Sequence, residues 1–398
     1  MTPAIFSNSE LRLCLIVESG TDVRLVDGLA ERFEVTVLAR RIVGGVEISH
    51  PPAANVPIII GPASRLSFAR AVFEYLRRHR KEIDLVLVQG YGLAALAANT
   101  ASKFTSADTI MLVCSPVELY YRCRLVAPQP DKPFRRRELL AIQMLARVNA
   151  LIGSQYVALS NHLAETIREH GGDKAINVIP VYGVDTKLFA PPNEKKSTIK
   201  ERLGLPTTGS IIFFSSRIAP EKDSETLLAA FRELLKKSHE LWLLHRSGGY
   251  QSFLSVAQSF GVSDRVIATD AVHPHRQLPY DYQASDLCVQ ASREEGLGFS
   301  PLEALACGLP VVAAATGGLK ETIIDGHTGW TYPAGDVKRL AIAIESVLNE
   351  PVESHRRASA GRAMVCEKYA RDNVFERFEG LIAHTAQPSV ARDLAAAS

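Results

Sequence analysis

Short apolar runs alternate with helix-period segments twice along this chain, and that rhythm limits the fold more than any other feature. The run Leu-Arg-Leu-Cys-Leu-Ile-Val at residues 11–17 reads as a buried strand, and a second strand follows at 33–38 after an intervening helical stretch. A strand–helix–strand order implies a right-handed crossover and a parallel sheet. Further strands are expected at 56–60, 84–88 and 109–114, with helices over 67–81 and 94–101. Pro128, Pro130 and Pro133 mark a loop. Arg135, Arg136 and Arg137 then open an apolar-rich helix over 138–150, followed by a strand at 151–154, a helix at 160–169 and a strand at 177–180.

The same rhythm restarts at residue 210. Strands are expected at 210–215, 241–245, 266–268, 284–290 and from Val311 onward, with helices at 225–237, 319–324, 337–348 (capped by Asp336) and 371–384. A chain of 398 residues is too long for one ordinary core. Pro191, Pro192 and the polar run 193–198 look like a crossover between two α/β domains. The expected division is 1–190, 191–370, and a helix with tail at 371–398 returning to the first domain.

Lys and Arg number 45 against 43 Asp and Glu, a balance that gives no support for bulk nucleic-acid binding. The six cysteines form no C-x-x-C pair and read as small buried hydrophobes in a reducing compartment. No apolar run reaches the ~18–20 residues of a membrane span, and the first residues lack the regions of a signal peptide. A cytoplasmic location is therefore expected. The arginines at 135–137 either solvate one helix face or draw the protein to anionic headgroups at the inner face of a membrane.

The chemistry concentrates at residues 291–310. Gly296 and Gly298 let the backbone approach a ligand closely. Ser300 is expected to N-cap a helix, with Pro301 at its first position and Glu303 completing a capping box; Gly308 and Pro310 stop it. A glycine-bearing loop feeding a helix N-terminus suits an anion. Glu295 and Glu303 bracket the loop with carboxylates, which suit hydroxyls better than phosphate, so a nucleotide sugar fits both halves. Glu303 as a purely structural capping residue stays open. Arg217 and Lys222 follow the strand at 210–215, as a guanidinium fork and a point charge for a pyrophosphate, or as plain surface charge. Gly20 leaves the first strand where α/β sheets bind ligands, or is simply a turn glycine. His245, His273 and His275 read as packed or solvated rather than metal ligands.

Glu295-x7-Glu303, followed by Ala-Leu-Ala-Cys-Gly-Leu-Pro-Val-Val and by Gly317-Gly318, resembles the signature of family 4 retaining glycosyltransferases. Arg217-x4-Lys222 resembles that family's diphosphate-binding pair, and Tyr182-Gly-Val-Asp resembles its "NGVD" segment with tyrosine in the asparagine position. The resemblance implies a GT-B fold, two doubly wound Rossmann-like domains facing a cleft. It implies sugar transfer with retention from a nucleoside diphosphate sugar, UDP before GDP, to a hydroxyl of a glycan, lipid-linked or small-molecule acceptor, without metal or cofactor. Glu295, Arg217 and Lys222 would serve catalysis. Gly20, Val272 (at the nucleobase), Gly298, Phe299, Ser300 and Glu303 would join Arg217 and Lys222 in holding the donor. Many members carry a histidine after the strand that here ends at Cys114; Ser115 or Glu118 would replace its contacts. A sugar-nucleotide epimerase of the same fold and a nucleotide-binding partner subunit without turnover are the other readings.

Overall fold

A computed structural model describes residues 11–53, 55–127, 133–172, 175–237, 240–247, 249–269 and 277–386. The chain divides into two compact units. The first comprises residues 1–118, 135–183 and 372–398, and the second 119–134 and 184–371.

The first unit is built on a seven-stranded sheet of β1 (Arg12–Val17), β2 (Glu34–Arg40), β3 (Ile58–Gly61), β4 (Leu85–Gln89), β5 (Asp108–Val113), β6 (Gln155–Ala158) and β7 (Ile176–Val178). Its order is β3-β2-β1-β4-β5-β6-β7, and every pair is parallel. The strands read as continuous apolar runs because helices cover both faces: Leu13, Cys14, Leu15, Ile16 and Val17 are all buried. The terminal helix Arg371–Ala386 packs into this unit. Phe375 lies so close to Gly28 that a Cβ there would sit 2.0 Å from its ring, and Thr385 donates to Gln155 at 2.8 Å.

The second unit carries a six-stranded parallel sheet of β8 (Ser210–Phe214), β9 (Leu241–Arg246), β10 (Val266–Thr269), β11 (Leu287–Gln290), β12 (Val311–Ala314) and β13 (Trp330–Tyr332), in the order β10-β9-β8-β11-β12-β13. Ile212, Phe214, Leu227, Phe231, Leu243 and Phe253 are among the side chains filling its core. The order reverses between β1 and β4 in one sheet and between β8 and β11 in the other. Open α/β sheets bind ligands at the carboxyl ends of strands flanking such a reversal.

Several local expectations are corrected. Residues 151–154 form no strand: the helix Arg136–Ile152 runs on until Gly153 leaves the helical region at ψ 151°, and the strand is β6. The run 193–198 is not all linker, because helix Lys196–Arg202 begins there and buries Ile199. Ala284 belongs to helix Leu278–Ala284, so β11 starts only at Leu287. Helix Pro351–Met364 went unforeseen. Its inward residues are small, Ala358 and Gly361, the latter lying so close to Leu305 that a Cβ there would sit 2.5 Å from its side chain.

Candidate active site

Two loops of the second unit meet at the reversal between β8 and β11. The first runs from Ser215 through a short turn at Pro220–Lys222 to Asp223. Asp223 has φ 48° and ψ 50°, and it is the one non-glycine residue at positive φ among the described residues. Aspartate tolerates this because its short carboxylate can bond locally. Here it accepts from the Thr226 hydroxyl at 2.7 Å, caps helix Ser224–Leu235, and receives Arg293 Nη2 at 2.9 Å. The Arg293 N–H donates to the Glu221 carbonyl at 2.8 Å, so the loop after β8 and the loop after β11 are stapled at two points.

Glu295 sits at the junction, only 8% exposed. One carboxylate oxygen, Oε2, receives Lys222 Nζ at 2.5 Å, Gln290 Nε2 at 3.2 Å and the Ser292 hydroxyl at 3.2 Å. The other, Oε1, receives the Tyr120 hydroxyl at 3.3 Å, and the Gly296 N–H donates to that same hydroxyl at 3.3 Å. Burial, and then the charge of Glu295, push the Tyr120 hydroxyl well above its ordinary pKa, so it stays a donor. Arg217 extends outward with its side chain 62% exposed and pairs with the buried Glu221. Lys222 and Glu295 are thus in direct contact, whereas Arg217 stands at the open edge of the same loop.

Helix Phe299–Ala306 starts differently from expectation. Gly298, at φ 93°, precedes it, and no side chain caps it. Ser300 is the second helical residue rather than the cap, because its hydroxyl donates across to the Ser215 carbonyl at 2.7 Å and ties the helix to the end of β8. Pro301 is correspondingly third. The Glu303 carboxylate, 4% exposed, accepts from the fully buried Tyr282 hydroxyl at 3.0 Å. Burial and this neighbouring charge hold Tyr282 protonated. Phe299 lies half-buried at the helix start.

Gly317 and Gly318 explain themselves sterically. A Cβ on either would lie 2.2 Å from a backbone oxygen, of Glu295 and Gly296 respectively. The Gly318 N–H donates to the Glu295 carbonyl at 2.9 Å. The glycine pair is therefore the floor on which the 294–298 loop rests. Val272, His273 and His275 lie outside the described residues. His245 is packed, as expected: its Nδ1 sits 2.9 Å from the Phe214 carbonyl, and burial between Phe214 and Phe253 pulls its pKa down to about 4.

In the first unit the polar groups at the strand ends are used differently. Gly20 is at φ 86°, against the Val46 carbonyl. Glu18 turns inward to accept the Ala94 N–H at 3.0 Å, at the start of helix Leu93–Ala101. Tyr182, at the position noted for its departure from asparagine, is buried and receives Gln89 at 3.1 Å beside Cys114. Ser115 is half-buried at the end of β5, with its carbonyl accepting the Val117 N–H. Glu118 accepts Gln143 Nε2 at 3.1 Å and lies 3.2 Å from His170. Asp223, Arg293, Gln290, Tyr120 and Tyr282 were missed from the sequence. The unusual backbone at Asp223 has no sequence mark. Gln290 was read as a strand residue, no element was expected around Tyr282, and Tyr120 lies 175 residues from its partner.

Residues 195–364 match the family described as glycosyl transferases group 1. Over 201 residues the chain is 32% identical to a GDP-mannose-dependent alpha-(1-6)-phosphatidylinositol monomannoside mannosyltransferase of Mycolicibacterium smegmatis, covering 48% of this chain and 52% of that one. Over 232 residues it is 32% identical to a D-inositol 3-phosphate glycosyltransferase of Xylanimonas cellulosilytica, covering 56% and 54%. The chain spans about half the length of the curated relatives it matches. Among solved structures, a sucrose-phosphate synthase of Thermosynechococcus elongatus superposes with a TM-score of 0.78 at 21% identity, over 98% of this chain and 100% of that one. The Anabaena protein HepE, solved in complex with UDP-glucose, superposes with a TM-score of 0.74 at 17% identity, over 94% and 100%. At such identities the likeness shows the fold, and the fold is GT-B.

Proposed function

We propose that the protein is a retaining glycosyltransferase using a nucleoside diphosphate sugar, a reading supported by the match of residues 195–364 to the glycosyl transferases group 1 family and by the GT-B fold. The observation that carries this reading is the Lys222–Glu295 pair, fixed by Gln290, Ser292 and Tyr120 beside the start of helix Phe299–Ala306. An ammonium has three donors. Lys222 can hold Glu295 with one and reach a diphosphate with another, while Arg217, exposed and on the same loop, supplies a planar fork to the same anion. Glu295 then serves the hydroxyls of the donor sugar and Glu303 those of the ribose.

In the transfer, the bond from the anomeric carbon to the diphosphate oxygen breaks and its electron pair leaves with the diphosphate. The acceptor oxygen bonds that carbon on the same face, and its proton passes to the departing phosphate oxygen. Arg217 and Lys222 stabilise the charge that develops there. The acceptor is a hydroxyl of a glycan, a lipid-linked sugar or a small molecule, held mainly by the first unit.

A sugar-nucleotide epimerase would need carboxylates poised for proton transfer in the first unit. Glu18 and Glu118 instead serve as internal acceptors there, which favours transfer. The nucleoside is read as uridine. Guanosine is the second reading, favoured by the GDP-mannose named for the Mycolicibacterium relative. A thermal-shift panel of UDP, GDP, ADP and their sugars separates them, since a ligand at ~100 times its dissociation constant adds ~2.7 kcal/mol of stability. Release of free nucleoside diphosphate only when an acceptor is present is the expected companion result. No shift with any of these nucleotides contradicts the reading.

A further inference from the structure

Helix Arg136–Ile152 carries a second apolar stripe that a helix only covering a sheet does not need. Its fully buried residues are Ala146, Asn149 and Ala150, and Leu139, Ile142, Leu145 and Ile152 are half-buried, yet four more large apolar side chains face out: Leu140 is 56% exposed, Met144 67%, Val148 36% and Leu151 62%. At about 100° per residue, these four fall within an arc of about 80°. Arg136, Arg137 and Arg147 are exposed on or beside that arc, and none makes an ion pair among the described residues. Glu138, the only acid of the helix, points to the opposite side and pairs with Arg135 at 3.6 Å. The outward face is therefore a ridge of long apolar side chains flanked by guanidinium groups that make no ion pair among the described residues, and the helix itself places no carboxylate on it.

We propose that this face docks the protein on an anionic lipid surface. A helix lying in the interface plane buries its apolar ridge at the headgroup–acyl boundary while its arginines extend to the phosphates. Both halves of the face are used by one occupant of that chemistry. A second copy of this chain would bring the same guanidinium groups against themselves and no compensating acid. Exposure and charge on the first unit carry the inference, and it stands whether or not the donor reading holds.

The test is co-sedimentation of the full chain with vesicles of phosphatidylcholine alone and of phosphatidylcholine with phosphatidylglycerol. Wild type is expected to sediment with the anionic vesicles at low salt and to lose most of that binding as salt rises. Replacing Leu140, Met144 and Leu151 together by Gln should lower binding roughly tenfold or more. Replacing Arg136, Arg137 and Arg147 by Gln should lower it on the order of a hundredfold and flatten the salt dependence. A Met144→Trp variant, altered at one exposed position, should show a blue-shifted emission on anionic vesicles, a readout that survives if a triple variant folds poorly. UDP and GDP binding measured in parallel reports the donor site separately. Wild type that ignores anionic vesicles, or a tryptophan whose emission does not move on them, overturns the proposal. So does a dimer dispersed by the ridge substitutions without any vesicle binding.

Discussion

The strand ends of the two units carry similar polar residues and use them in opposite ways. In the second unit the groups are drawn into one place by backbone that only special residues tolerate: Asp223 at φ 48°, Gly298 at φ 93°, and Gly317 and Gly318 under the loop. The result is a carboxylate and an ammonium in contact at a reversal in strand order, with Arg217 left facing outward. In the first unit Glu18, Glu118 and Tyr182 are spent on holding their own fold together. Preorganised charge of this kind can stabilise an anion, whereas the groups of the first unit are satisfied within their own fold.

The contrast breaks most visibly at its glycines. Gly318→Ala must push the Gly296 carbonyl away from a Cβ only 2.2 Å off, and that atom is backbone. Donor affinity is expected to fall at least a hundredfold with a stability loss of about 1–3 kcal/mol, read by calorimetry and thermal melting. Gly92→Ala meets the Glu18 carboxylate, a side-chain end that can turn, so it should cost stability alone and leave nucleotide affinity unchanged. Equal loss of affinity in both variants would erase the distinction.

Glu303→Gln sharpens it next. The amide still accepts from Tyr282, so the melting temperature without ligand should move little. Loss of a charged acceptor for the ribose is worth ~1.5–3 kcal/mol, roughly a tenfold to hundredfold fall in affinity. Glu295→Gln should instead spare diphosphate affinity and cut transfer sharply. A Glu303→Gln protein that loses stability yet binds nucleotide normally would return this residue to a structural role.

Tyr120→Phe removes two contacts of 3.3 Å while keeping the ring. About 1 kcal/mol of positioning is at stake, so transfer should drop roughly fivefold at unchanged diphosphate affinity. An effect on diphosphate affinity with normal transfer would show that Tyr120 does not act through Glu295.

A pH-dependent effect on stability alone lies in the core of the second unit. His245 has its pKa drawn down to about 4 from 6.5, so the unfolded chain binds the proton more readily. This contribution is full above pH 6.5 and is lost as pH falls from there through 4, at most about 3 kcal/mol. Stability should decline across that window, and His245→Phe should flatten the decline; an unchanged slope would put its source elsewhere.

Much of this was legible in the sequence. The parallel sheets followed from the repeated strand–helix–strand order, which requires crossover connections. Glu295 and Glu303 stood out by spacing, but the role of Ser300 did not: capping propensity is local, and the Ser215 carbonyl that takes its hydroxyl lies 85 residues away. The strand placed at 151–154 failed for a related reason, because Leu151 and Ile152 fit a helix and a strand equally well and only the conformation of Gly153 decides. Asp223 and Tyr120 depend on backbone strain and on long-range folding, neither of which leaves a short pattern.

The central claim is that the loops after β8 and β11 hold a nucleoside diphosphate. Titration calorimetry of wild type, Arg217→Ala and Lys222→Ala with UDP and with GDP tests it most directly. One of the two nucleotides should bind wild type, and each variant should bind it roughly tenfold or more weakly at an unchanged melting temperature, since hydrogen bonds to charged groups are worth ~1.5–3 kcal/mol. Equal affinity in all three proteins, or no binding of either nucleotide by wild type, would contradict it.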